Sequence, residues 1–365
     1  MRRCGFLVLA VLLAAAAYPL GKKKQKKEEE TQVLELPREL PATVTAETRR
    51  LAFYVSPLSG KGLLSQQVRD ALRAVTRAAG GSAIVKLRAF VAGTGDMRRV
   101  RDVVSETFTE RRQPLPALSL VQVGALPLEG AQVVLEAAAV ARKEVNPQGV
   151  VFLSGQAAES DGPLDPVAPL AEKSLAGLRT ALAAAGAAPE GVLRLTCFLS
   201  SLDRWIDVRV KAATEYPRAV QNFVQVQRAP GRAVCNCEAV ARLVRAPASP
   251  VEFRAVQKNG LSQASLVAAP RLVFTGTQAS FGFQDSDARL AFERLEKSLE
   301  QAGTSLKRAV FVGLYPLSPS LAAQVLRVRA DFFDAARPPA GTMLPFEGLP
   351  AMDAGFAVDA VAVKE

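Results

Sequence analysis

Apolar residues along this chain alternate between a period of two and a period near 3.6, and the alternation recurs in a fixed order. The apolar run Gly149–Leu153 leads into Ser154-Gly155-Gln156, after which Leu170, Leu175, Leu178 and Leu182 recur at helical spacing and Gly186 stops them. This predicts a strand, a turn and a helix from about Pro166 to Ala185. A strand Val192–Ser200, a helix over Asp203–Tyr216, a strand Asn222–Gln227 and a strand Ala233–Ala241 complete the order β-α-β-α-β-β. The preceding stretch has the same order: Leu51–Val55, a helix Ser65–Ala79 closed by Gly80-Gly81, Ile84–Val91, a helix Asp96–Thr109, Ser119–Val123 and Ala131–Ala141. So does the following stretch, with Arg271–Phe274, a helix Ser286–Ala302 closed by Gly303, Arg308–Tyr315, a helix Ser318–Ala335 and Gly355–Val363. Internal repetition of this kind governs the fold assignment.

One acidic residue falls in the last strand of each unit: Glu136, Glu238 and Asp359. The second interval is longer because residues 244–270 hold an extra strand Glu252–Val256 and a turn at Gly260–Ala264. The reading is therefore an α/β chain of three tandem domains at 51–143, 148–246 and 252–365. They are preceded by residues 1–21 as a signal peptide or anchor and residues 22–50 as a charged linker.

With 365 residues, several domains are expected, each able to bury a core. Histidine is absent, which excludes Ser-His-Asp and Cys-His nucleophilic machinery and His-based zinc sites. The cysteine spacing offers no zinc site either, so no metal and no cofactor is expected. A formal charge of +11 raises the question of nucleic acid, but the run Lys22–Lys27 is followed at once by Glu28-Glu29-Glu30, and the remaining excess is scattered arginine. No nucleic-acid partner is expected from that pattern. Ser56–Gly62 lacks the spacing of a phosphate loop and reads as a surface turn.

At the N-terminus, Arg2-Arg3, the apolar run Gly5–Ala17 and Ala15-Ala16-Ala17 read as a secretion signal. Export is the expectation. Retention of the segment as a membrane anchor is the alternative, because lysines follow the apolar run. Cys197, Cys235 and Cys237 lie in apolar runs and are expected as buried small side chains. In an exported protein a bridge from Cys197 to one of the pair is the alternative.

Several segments carry a resemblance. Leu153-Ser154-Gly155-Gln156, Leu193–Leu199 and Val224–Pro230 in the second unit, Val85–Val91, Pro116–Pro127 and Leu135–Val140 in the first, and Gly260–Ala264, Phe274–Gln278, Pro338–Gly341 and Val358–Val363 in the third are together similar to the Rid family, also called YjgF or endoribonuclease L-PSP. The resemblance covers nearly everything after residue 50 and implies three fused copies. Each would have a chorismate-mutase-like fold, a mixed sheet with two helices on one face. Family members assemble as trimers, so three copies in one chain imply an intramolecular pseudo-trimer and a monomeric protein.

The same resemblance implies hydrolysis of enamines and imines, in clefts between adjacent units. An arginine there grips the substrate carboxylate and a last-strand carboxylate assists water. Carried onto this sequence, the arginine position is occupied by Leu118, Gln221 and Gly341, none of which forms a bidentate ion pair. The expectation is a Rid-like protein that binds a small metabolite at interdomain clefts through Ser154, Gly155, Gln221 and Asp359. The alternative is a divergent imine or enamine deaminase using Glu238 or Glu136 and water.

Overall fold

In the computed structural model, residues 36–365 apart from Thr94 are described; the signal-like segment lies outside them. Strand β1 (Thr43–Glu47) opens the fold. It is followed by β2 (Leu51–Val55), α1 (Leu64–Ala78), β3 (Ala83–Ala92), α2 (Met97–Glu110), β4 (Ala117–Val123) and β5 (Val133–Val140). Next come β6 (Val150–Ser160), α3 (Val167–Ala184), β7 (Val192–Leu199), α4 (Trp205–Glu215), β8 (Val220–Gln225) and β9 (Ala233–Arg242). The chain continues through β10 (Val251–Val256), β11 (Ser262–Val267), β12 (Arg271–Thr275) and β13 (Gln278–Phe281). It ends with α5 (Asp285–Gln301), β14 (Ala309–Pro316), α6 (Pro319–Arg329), β15 (Ala340–Met343) and β16 (Ala354–Lys364).

The three units share one strand order: β2-β5-β3-β4, β6-β9-β7-β8 and β12-β16-β14-β15. In each, the strands flanking the second helix run parallel, as a crossover helix requires, and the last strand pairs antiparallel with the first and second. The first helix of each unit ends in the same way, at Gly80, Gly186 and Gly303 with φ of +57°, +66° and +78°, a backbone region that glycine enters without a Cβ clash. Local caps fix other helix starts. Asp96 accepts from the Arg98 amide ahead of α2, Ser318 from the Leu321 amide ahead of α6, and Gln284 with Asp287 forms a reciprocal pair at α5.

Each sheet buries both faces. On one face the helices pack: Val68, Leu72, Val100 and Val104 against Leu87 and Leu135 in the first unit, with equivalent clusters in the others. On the opposite face the three units meet one another, placing Phe53, Phe152, Phe274 and Phe311 in one shared cluster and Phe90, Phe198, Tyr315 and Phe346 in another. Central strands buried on both sides explain the continuous apolar runs read from sequence.

The segment preceding each unit crosses to a neighbour. Strand β1 pairs antiparallel with β12, and β11 pairs with β6. Val145 and Asn146 donate their amides to Arg49 O, while the Asn146 side chain donates to Leu51 O at 2.7 Å. Because β11 also pairs with β15, the second and third units lie in one continuous twelve-stranded sheet.

Several elements differ from expectation. The charged linker contains a strand: Thr43-Val44-Thr45-Ala46-Glu47 alternates and has β12 to pair with. The helix expected to reach Ala335 ends at Arg329, because Phe332 and Phe333 turn inward against Phe292. Cys197 and Cys237, in register on β7 and β9, form a disulfide, so these two are not simply buried small side chains; Cys235 is buried and free. Among the described residues no helix is long and apolar enough to cross a membrane.

Candidate functional site

Two places in the fold concentrate chemistry. The first is the interior where the three sheets meet. Its register repeats: Arg88 faces Glu136 on β3/β5, Thr196 faces Glu238 on β7/β9, and Gly313 faces Asp359 on β14/β16. The three acidic residues are 2%, 0% and 6% exposed, so their charges need partners.

Those partners come from different units. The Arg88 guanidinium bridges two carboxylates through Nη2, at 2.6 Å from Glu136 and 2.6 Å from Glu238. Arg194 adds a bond of 3.0 Å to Glu238 and lies 3.6 Å from Glu136. Thr196 and Asn222 of the second unit donate to Glu136 of the first at 2.7 and 2.8 Å. Asp359 of the third unit accepts from Lys86 at 2.9 Å, from Ser119, and from the Tyr315 hydroxyl at 3.3 Å. Three cations thus offset three anions. A cavity of about 40 Å³, lined by Lys86, Arg88, Arg194, Glu136 and Asp359, lies among them. Arg194 Nε and Glu238 Oε2 are the buried polar atoms of this cluster without a hydrogen-bond partner.

Electrostatics in the cluster follow from that packing. Burial would push the Glu136 carboxyl up, but Arg88 and Arg194 outweigh it and hold the group below the ordinary carboxylate range. Arg88 is likewise held well above its ordinary value by Glu136 and Glu238 against the cost of burial. Burial draws Lys86 below the usual lysine value, with Asp359 opposing.

The second place is a seam between the first and third units, where β4 lies against β12 and β13. The amide of Thr277 donates to Leu118 O at 3.2 Å. A Cβ at Gly276 would stand 3.0 Å from that same carbonyl, so the two backbones touch there. Beside this contact opens a cavity of about 520 Å³ with Leu118, Leu120, Ala279, Ala351 and Ala357 among its apolar lining. Three arginines also line it: Arg98 and Arg101 from α2, and Arg294 from α5. Glu39, Leu40, Pro41 and Ala42 form another part of the wall.

The candidate residues read from sequence do not form one site. Glu136, Glu238 and Asp359 converge in the interior cluster. Ser154 is at a different seam, where its hydroxyl accepts from the Gly341 amide at 2.7 Å and donates to Ser262 O at 2.6 Å. Gly155 sits at the irregular step of β6, and the Asn236 side chain fills the space a Cβ would occupy. Gln221 neighbours Asn222 on β8 and points to the opposite sheet face, away from Glu136. Sequence reasoning passed over Lys86, Arg88 and Arg194, and also Arg98, Arg101 and Arg294.

Comparison with known proteins adds the following. Residues 62–142, from the turn before α1 to the end of β5, match the family model described as Endoribonuclease L-PSP. This supports the Rid/YjgF resemblance over that segment. No curated protein matches the chain. Among solved structures, a conserved Rid-family protein of unknown function from Yersinia pestis is 16% identical, with 32% of this chain and 100% of that chain covered and a TM-score of 0.30. A member of the YjgF/YER057c/UK114 family from Mycobacterium tuberculosis is 23% identical, covering 31% and 99%, with a TM-score of 0.24. TdcF from E. coli, crystallised with bound serine, is 21% identical, covering 27% and 83%, with a TM-score of 0.24.

Proposed function

We propose that the chain is a Rid-like protein of three fused units, acting as a monomeric pseudo-trimer, that binds a small metabolite at the seam between β4 and β12–β13. In this reading the last-strand carboxylates hold the units together and take no part in imine hydrolysis. The observation that carries it is the separation of the two places: the seam cavity has no last-strand carboxylate in its lining, and those carboxylates are engaged by Arg88, Arg194 and Lys86 in the interior. A cavity of this size falls in the range that encloses small ligands. The Cys197–Cys237 disulfide supports export to an oxidising compartment.

The competing reading is a divergent enamine or imine deaminase, and one observation favours it: Glu238 keeps a carboxylate oxygen with no hydrogen-bond partner. An assay with freshly generated 2-iminobutanoate separates the two. The binding reading predicts no turnover above buffer, and no difference between wild type and Glu238→Gln. Turnover that disappears in Glu238→Gln, in protein shown to be folded, overturns it.

A further inference from the structure

We infer that the end of the first unit at which α1 and α2 finish is a docking surface for an anionic lipid bilayer. Residues 36–143 carry 16 lysines and arginines against 9 acidic residues, a net +7, whereas residues 144–246 carry 11 against 10 and residues 247–365 carry 12 against 12. The basic excess of the described chain therefore belongs almost wholly to one of three units that share a strand order.

Topology concentrates it further. Strands β3 and β4 run parallel, so α1 and α2, each leading into one of them, both finish at the end of the sheet where these strands begin. Strand β5 is antiparallel to β3 and finishes there too, with Val140 opposite Ala83 and Leu51. Five segments thus deliver cations to one end: Arg38 ahead of β1, Arg49 and Arg50 ahead of β2, Arg77 in the last turn of α1, Arg111 after α2, and Arg142 and Lys143 after β5. Contacts fix several of them there. Arg50 Nε donates to Ala141 O at 2.6 Å, a Cβ on Gly81 just past α1 would stand 2.8 Å from Arg142 Nη2, and Arg38 donates to Gln113 O at 2.6 Å and Phe108 O at 3.3 Å.

The acidic side chains of this end do not cancel the cluster. Glu47 and Glu144 offset Arg50 at 3.0 Å and Arg49 at 3.8 Å. With Glu39 and Glu110 also counted, and Arg112 added to the seven cations, the balance is 8 − 4 = +4. Arg77, Arg111, Arg142 and Lys143 are exposed and have no ion-pair partner among the described residues. A helix C-terminus favours a cation, yet α3 and α5 have none in their last turns, so that general preference does not produce the cluster.

The occupant follows from where the chain enters. Arg38 is tied to the end of α2, and 38 − 27 = 11 positions separate it from Lys27, at most about 40 Å of chain. The preceding sequence carries Lys22–Lys27 and the apolar run Gly5–Ala17; the five lysines outnumber Glu28, Glu29, Glu30 and Glu35. An apolar segment and basic clusters on one tether suit a charged lipid surface, which rewards both. Leu36, 82% exposed beside this end, adds an apolar side chain at the boundary. Within residues 36–143 no described aromatic side chain is exposed to stack on bases, so a nucleic acid is the poorer match.

The test sediments the full chain with vesicles of phosphatidylcholine alone, or with about 30% phosphatidylglycerol, in about 50 mM and about 500 mM NaCl. Partition onto the anionic vesicles is expected to exceed that onto the neutral ones about tenfold or more at low salt, and most of that preference should vanish at high salt. Amide exchange at residues 77–82, 111–113 and 142–144 should slow with anionic vesicles only. Arg77→Glu with Arg142→Glu and Lys143→Glu should lower the anionic partition at least about tenfold, while Lys173→Glu with Arg209→Glu and Arg232→Glu, an equal change of net charge on the second unit, should lower it less than about twofold. Equal partition onto both vesicle types, unslowed exchange at those residues, or equal losses in the two triple variants overturns the assignment. So does binding to duplex DNA without binding to either vesicle.

Discussion

The interior cluster and the seam cavity use the same residue types in opposite ways. In the interior, Lys86, Arg88 and Arg194 are matched by Asp359, Glu136 and Glu238, and the matching crosses from unit to unit. At the seam, Arg101 and Arg294 have no carboxylate partner among the described residues. A buried charge is tolerated only when it is paired, so the first arrangement is part of how the chain holds itself together. An unpaired guanidinium at a cavity edge stays hydrated at little cost and remains free to meet a ligand. On the proposed reading the contrast separates assembly from recognition by charge balance, and it moves the last-strand carboxylates from the second role to the first.

The largest way to break the contrast is at Arg88. Replacing it with Met leaves Arg194 as the one cation between Glu136 and Glu238, and the expected loss is about 3–5 kcal/mol in denaturant unfolding. A loss below about 1 kcal/mol would mean the cluster is hydrated and unimportant to assembly. Ser154→Ala removes the acceptor for the Gly341 amide and the donor to Ser262 O; the expected loss is about 1–3 kcal/mol, with no effect on binding at the other seam.

Acid sharpens the comparison. The Glu136 carboxyl is held below its unfolded value, so its stabilising contribution is complete above about pH 4.3 and is lost as pH falls through the folded value. Unfolding midpoints measured from pH 6 down to pH 3 should therefore drop most steeply below about pH 4, and Glu136→Gln should flatten that slope. The smallest expected effect is at the seam, where Arg101→Ala should change stability by no more than about 0.5 kcal/mol. A large destabilisation would show that Arg101 is structural.

Much of the fold was legible because each unit carries its own local signals. Leu170, Leu175, Leu178 and Leu182 mark the buried face of α3, and Gly80, Gly186 and Gly303 stop three helices by the same backbone conformation. What escaped was non-local. Strand β1 exists because β12 is there to pair with it, and β15 is four residues long behind Pro338-Pro339. The interior cluster had a signal that went unused: Lys86 and Arg88 in Val85–Val91, and Arg194 in Leu193–Leu199, stand in strands otherwise too apolar to face water. Charges in such strands require buried partners, and Glu136, Glu238 and Asp359 in equally apolar strands were the candidates. The seam arginines gave less. Arg98 and Arg101 are three apart on α2, a spacing shared with many solvated helix faces, and only the tertiary fold brings Arg294 to them.

The most direct test of the account is a double-mutant cycle between Arg88 of the first unit and Glu238 of the second, using Arg88→Met and Glu238→Gln in the full chain and equilibrium unfolding as the readout. If the carboxylates serve to join the units, the coupling energy is about 2 kcal/mol or more in the stabilising direction. Additive effects, with a coupling near zero, would contradict the claim that these charges hold the units together.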